Sequence, residues 1–134
     1  MLRDDRQTAL SDAIEACLHA AHVHEDDADL LGDGAAGARQ LAARRREDAE
    51  ILAAHLRRLG DLPKEPDPEY EVAADIVTRI KASLTEDEHA LGLARSQEAE
   101  DALAAALEAV LEQDVTPDCR KDVERILASR ATLD

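Results

Sequence analysis

Apolar residues recur every three or four positions through four separate stretches of this chain, and charged or histidine residues interrupt the stripe midway in three of them. That spacing is the signature of helices with one buried face. A first helix is predicted over about Asp5 to Leu31, with Leu10, Ile14, Cys17, Ala21, His24, Ala28 and Leu31 on one side. Gly32-Asp33-Gly34 ends it, with Asp33 placed to cap the next helix. The second helix runs from about Ala35 to Leu59 on a stripe of Ala38, Leu41, Ala42, Arg45, Ala49, Leu52, Leu56 and Leu59, and Gly60 takes the C′ position. So short a turn makes these two an antiparallel hairpin.

The only proline-rich stretch, Asp61 to Pro68, comes next. Asp67-Pro68-Glu69 opens a short helix to about Ser83, with Tyr70, Ala73, Ile76, Val77, Ile80 and Leu84 on one side. The capping box from Thr85 to Glu88 starts the third long helix, which continues to about Gln113 on Ala90, Leu93, Gln97, Glu100, Ala104, Leu107 and Leu111, with Leu103 and Val110 alongside. Thr116-Pro117-Asp118 starts a fourth, carrying Cys119, Val123, Ile126, Leu127, Arg130 and Leu133. The segment between the second and third long helices can span a bundle about 38 Å tall, so those two helices are expected to run parallel. Two hairpins joined by one long crossover is the ferritin-like arrangement. The expected fold is therefore all-α: a ferritin-like four-helix bundle with an additional short helix in the crossover, forming one domain over residues 1–134.

Composition narrows the function classes. The chain has no Phe or Trp and a single Tyr, whereas strands need aromatic and β-branched residues. A net charge of −15 opposes binding to nucleic acid and to an anionic leaflet. Arg-over-Lys usage and abundant Asp suit either a salt-adapted cytoplasm or a GC-rich genome. Cys17 and Cys119 fall at apolar-periodic positions and read as small buried thiols, with a disulfide as the alternative. No apolar run reaches membrane length and no leader pattern opens the sequence, so a cytoplasmic location is expected.

The residues also resemble a family. Leu10-Ser11-Asp12-Ala13-Ile14-Glu15, the Arg-rich Arg44-Arg45-Arg46 and Arg57-Arg58-Leu59-Gly60, and Glu100-Asp101-Ala102-Leu103 are similar to segments of bacterial four-helix-bundle proteins of unknown function in the ferritin-like, rubrerythrin-like group. The acidic-Pro pair before the fourth helix fits too, and the resemblance covers nearly the whole chain. It implies the ferritin-like fold and a stress-related role. Three positions depart from it: a glutamate near the middle of the first helix is Ala21 here, an aromatic three positions later is His24, and a histidine late in the fourth helix is missing.

A ferritin-like dimetal centre takes a Glu from each of two helices and a Glu-x-x-His from each of the other two. The chain has one Glu-x-x-His, Glu86 and His89, in the first turn of the third helix, where Glu86 already suits the helix dipole. The polar residues His24, Arg45, Asp48, Gln97 and Glu100 still fall near mid-helix. Unpaired there, a buried charge would cost several kcal/mol, roughly. One reading is an ion-pair layer, with Arg45 between Glu100 and Asp48 and His24 bonded nearby. A second is a remodelled mononuclear or small-ligand site on His24, Glu25, Asp48 and Glu100, holding Fe, Mn or Zn. A third has the stripe facing a partner chain. Glu15, His19, His22 and Asp26 share another face of the first helix and could take a surface divalent metal or be simply solvated. His55 reads as a boundary histidine. With no phosphate loop, Cys-x-x-Cys or nucleophile elbow, the chain is expected to be non-enzymatic: a structural or interaction protein forming a homo-oligomer, a dimer by preference, or docking on another helical protein. The alternative is a metal-binding or oxidase-type ferritin-like protein.

Overall fold

The computed structural model describes residues 4–30, 35–61 and 88–130, and every element among them is helical. Four helices pack together: α1 (Asp5–Leu30), α2 (Ala35–Arg58), α3 (Glu88–Leu111) and α4 (Pro117–Ala128). The expected short crossover helix, the Gly32–Gly34 turn, the Thr85 capping box and Leu133 lie outside the described residues.

Local chemistry sets the helix ends. Asp4 and Gln7 form a reciprocal capping box at the start of α1: the Gln7 backbone N–H donates to Asp4 Oδ1 at 2.8 Å, and the Asp4 N–H donates to Gln7 Oε1 at 2.9 Å. At the end of α2, Gly60 has φ +83°, its N–H reaches Arg57 O, and the Asp61 N–H reaches Leu56 O. That pair of bonds is a Schellman motif, which needs a left-handed residue and so a glycine. Thr116 caps α4 by accepting the Cys119 N–H at 3.1 Å, with Pro117 at the first helical position. Arg120 closes the turn by donating to the Leu111 carbonyl that α3 leaves open.

Side-chain pairs fix the directions. Gln7 donates to the Leu59 carbonyl at one end of the α1–α2 hairpin, while Arg39 faces Asp29 at the other, so the two helices are antiparallel. On α3, Ser96 meets Asp27 and Glu100 meets His24, so α3 is antiparallel to α1 as well. It follows that α2 and α3 run parallel, as the length of the connection allows. His55 pairs with Asp122 and Arg130 with Asp101, which lays α4 antiparallel to both. Each of α2 and α3 packs against α1 and α4, so they occupy opposite corners of the bundle.

At about 18 Å, α4 covers only half the length of the other helices. Where it lies, the core is large and aliphatic: Leu10, Ile14, Cys17, Leu52, Leu56, Leu103, Leu107, Val110, Cys119, Val123 and Ile126. Past the end of α4 the buried apolar residues among those described are small, with Ala20, Val23 and Ala99 in a separate cluster. Between the two lies the polar layer.

Candidate functional site

The phase of each helix decides which polar residues enter that layer. On α2, Arg45 lies on the same face as Ala42, Ala49, Leu52 and Leu56 and is carried inside with them, at 0% exposure. On α3, Glu100 shares a face with Leu103 and Leu107 and is likewise 0% exposed. Across the core, Arg45 Nε donates to Glu100 Oε2 at 2.9 Å and Nη2 donates to Glu100 Oε1 at 2.5 Å. Its third contact, Nη1 to Asp48 Oδ2 at 2.8 Å, stays on α2. This is a bidentate guanidinium–carboxylate pair with a second carboxylate attached, the arrangement that best offsets the desolvation of a buried arginine.

His24 extends the layer to α1. Its Nε2 lies 3.1 Å from Glu100 Oε2 and its Nδ1 lies 3.3 Å from Ser96 Oγ. Ser96 in turn bonds to Asp27 Oδ2. The result is one continuous buried chain, Asp27–Ser96–His24–Glu100–Arg45–Asp48, spanning three helices. Donor counting allows two proton arrangements. If the Ser96 hydroxyl donates to Asp27, both ring nitrogens of His24 must carry protons. If Asp27 is the protonated group and donates to Ser96, the hydroxyl is free to donate to Nδ1 of a neutral His24. The two differ by a proton moved along the relay, with the same net charge.

Electrostatics separates the carboxylates. Burial would raise Glu100, but hydrogen bonds from His24 and Arg45 outweigh it and bring its carboxyl down to about 2. Burial dominates at Asp48 and at Asp27, whose carboxyls stay above the ordinary range despite Arg45 beside the first and Ser96 and Arg95 beside the second. Asp27 is also the less satisfied: its Oδ1 has no hydrogen-bond donor among the described residues, and Arg95 comes only to 4.0 Å. Arg45 is held above its ordinary value because its bonds to Glu100 and Asp48 outweigh burial. Cys17, below the layer, is pushed up to about 12 by burial and then by Asp48, so its thiol stays protonated.

Of the expected residues, Arg45, Asp48, His24 and Glu100 come together, in the order foreseen for an ion-pair layer. Glu25 does not join them; it is exposed and paired with Arg46 on the outside of the α1–α2 hairpin. Gln97 is also outside the chain, bonded to Asp101. The buried face of α3 is centred one residue earlier than the expected stripe, and Ser96 takes the place. The α1 quartet divides as well: His19 is exposed, Glu15 and His22 are half-buried, and Asp26 turns inward to Arg95 at 3.2 Å. Because α1 packs on both α2 and α3, its buried arc is wide enough to take in Asp26 and Asp27. His55 is buried rather than peripheral, bonded to Asp122 at 2.7 Å. Both cysteines are buried and free.

Two chemistries can be tested against this geometry. A metal ion suits the donor set poorly, because the guanidinium of Arg45 already takes both oxygens of Glu100 and one of Asp48. Among the described residues no three His, Cys, Asp or Glu side chains gather to hold a metal; Glu86 lies outside them. The second chemistry is nucleophilic. Ser96, His24 and Glu100 trace a serine–histidine–carboxylate outline, but Ser96 sits inside α3, where the backbone N–H groups belong to the helix ladder and none is left for an oxyanion. The serine is also buried.

Ser96, Asp27 and Arg95 had no sequence motif to mark them. The available signal was spacing: Asp27 is three residues after His24, and Ser96 four before Glu100, so each shares a face with a residue already singled out.

No family model, curated protein or solved structure matches this chain. No helix among the described residues is long and apolar enough to cross a membrane.

Proposed function

We propose that this chain is a non-catalytic helical-bundle protein of ferritin-like type, in which the place of a metal centre has been taken by a structural ion-pair layer. Its work is then done through its outer surface, as a structural or interaction protein that assembles with further copies of itself. The observation that carries the reading is Arg45, which at 0% exposure bonds to both carboxylates a metal would need. A buried layer of this kind adds little net stability but penalises wrong registers, a useful property among Ala- and Leu-rich helices that could otherwise slide.

The parallel run of α2 and α3 supports the ferritin-like topology, and the crossover helix belongs to the same proposal. A bacterial, cytoplasmic and stress-related setting comes from the family resemblance alone.

The test is elemental analysis of untagged protein purified without chelator, followed by melting with and without Fe(II), Mn(II) and Zn(II). Less than about a tenth of a metal equivalent per chain and an unshifted melting temperature are expected. Binding of one or more equivalents with a raised melting temperature would overturn the reading in favour of a metal-binding or oxidase-type protein, since a ligand selective for the native state must stabilise it.

A further inference from the structure

Exposed charge in this molecule is sorted by helix. α2 turns Arg39, Arg44, Arg46, Arg57 and Arg58 to solvent against two exposed acids, Glu47 and Glu50. α3 does the opposite: it exposes Glu98, Asp101 (paired with Arg130) and Glu108, Glu112 follows one residue past its end, and its one arginine, Arg95, is drawn inward to Asp26. An arginine-rich face is out of keeping with a chain of net charge −15. Because α2 and α3 occupy opposite corners of the bundle, the basic and acidic faces point in opposite directions.

The two faces also match in spacing. Arg44 and Arg58 are two heptads apart, and so are Glu98 and Glu112, the latter in the turn that ends α3 with its N–H still bonded to Glu108 O; at helical rise each pair spans about 21 Å on one side. Exposed alanines adjoin the charges, Ala43 beside Arg44 on α2 and Ala102 and Ala105 between Glu98 and Glu112 on α3. Side chains this small let two helices approach closely enough for flanking charges to meet across the contact. Arg39 and Arg46 already face Asp29 and Glu25 of their own chain, which leaves Arg44 and Arg57, together with Arg58, whose one contact is with the His55 ring at 3.4 Å, as the residues best placed to reach a carboxylate outside the chain.

We propose that the arginine face of α2 docks on the acidic face of α3 of a second copy of this chain, head to tail. The inference rests on the reading of the protein as a self-assembling structural bundle and names the surfaces that do it. With the faces at opposite corners, two copies cannot satisfy both at once. The contact therefore propagates into a chain or closes as a ring, in place of the twofold dimer expected from sequence. Salt dependence follows from the charges. The net charge of each copy repels at long range and is screened first, within a Debye length of about 8 Å at 0.15 M salt, whereas close pairs at the contact are screened less. Association is weakest at low salt, passes through a maximum and falls again at high salt. Apolar association would only strengthen with salt.

Sedimentation equilibrium of the full chain over a wide concentration range, at about 0.15 M salt, tests this. The weight-average mass is expected to climb past that of a dimer as concentration rises. Arg44→Glu with Arg58→Glu should weaken association at least about tenfold, and Glu98→Arg with Glu112→Arg should do the same. An equimolar mixture of the two variants should restore it, since each then carries the face the other needs. All four positions are exposed, so melting curves close to wild type will show that both variants fold. A wild-type chain that stays monomeric, one that stops at a dimer, or association that neither variant weakens would overturn the proposal. None of these outcomes would touch the structural reading of the polar layer, whose failure shows instead as bound metal.

Discussion

The two ends of the bundle are built on different principles. The end covered by α4 is held by large aliphatic side chains, Leu10, Leu52, Leu56, Leu103, Leu107 and Ile126, all at or near zero exposure. Among the described residues, the other end buries alanines and one valine beside His24, Asp26, Asp27 and Ser96. Burial of a leucine stabilises by about 1.5–3 kcal/mol, whereas an alanine contributes little. The first end thus supplies most of the driving force and the second most of the specificity. Aliphatic packing tolerates rearrangement as long as volume is kept, but a hydrogen-bonded chain through three helices has one alignment in which its members meet.

The sharpest way to break that comparison is Arg45→Ala. It leaves Glu100 and Asp48 buried without their cation and should cost about 3–5 kcal/mol, read as a fall in the urea midpoint or as failure to fold. Replacing the layer outright, with Arg45→Met, Asp48→Leu and Glu100→Met together, should recover most of the loss. If the layer does set the register, the recovered protein should show poorly dispersed NMR spectra. Well-dispersed spectra from that variant would remove the specificity argument.

Next in size is truncation of the aliphatic end. Leu107→Ala should cost about 2–5 kcal/mol. Val23→Ala at the far end should cost roughly half of that or less, because fewer methyl groups leave and less cavity remains. Equal losses in chemical denaturation would mean that the far end is as tightly packed as the α4 end.

Acid should act on the ends differently. Glu100 is held down to about 2, so its contribution is complete above the ordinary carboxyl pKa and is lost as pH falls from about 4.5 towards 2. Asp27 is raised, so the sign reverses: its contribution is present in acid and lost as pH rises through its folded value. Hydrogen exchange should find α1–α3 amides near Asp27 better protected at mildly acidic pH than at neutral pH. Glu100→Gln should flatten the acid limb of the global melting curve without changing that local trend.

The smallest effect concerns Gly92, in α3. A Cβ there would meet Asp27 Oδ1 at 3.3 Å, tighter than ordinary contact. Alanine gains about 1 kcal/mol over glycine inside a helix, so Gly92→Ala should be close to neutral in the native sequence and stabilising by about that amount once Asp27→Ala has made room. A full gain in the native background would show that Asp27 yields easily and is not pinned by Ser96.

Much of this was legible beforehand. The stripes of α1 and α2 placed Leu10, Ile14, Cys17, Ala42, Arg45, Leu52 and Leu56 inside, because helical period alone assigns a face. Gly60 and Thr116 announced their caps, since the geometry they serve is local. Arg45, with Glu100 and Asp48 as its partners and His24 nearby, followed from the rule that mid-stripe charges need each other. Gln97 and Glu25 were misplaced for a common reason. Each adjoins a truly buried residue, and a neighbour on a helix is turned by about 100°, so a small error in phase exchanges an inner residue for an outer one.

What the sequence determined by itself is the part of the architecture that depends on neighbours along the chain: the helical class, most boundaries, the caps and the buried face of each helix. What only the tertiary structure decided is which faces meet. That α1 packs on two helices at once, and so buries Asp26 and Asp27, depends on contacts between residues some seventy positions apart, such as Asp27 with Ser96. The same is true of the joining of His24 to Ser96 and of the opposition of the basic and acidic corners. Helical period fixes the direction of a side chain relative to its own axis, but packing the bundle fixes what stands in front of it.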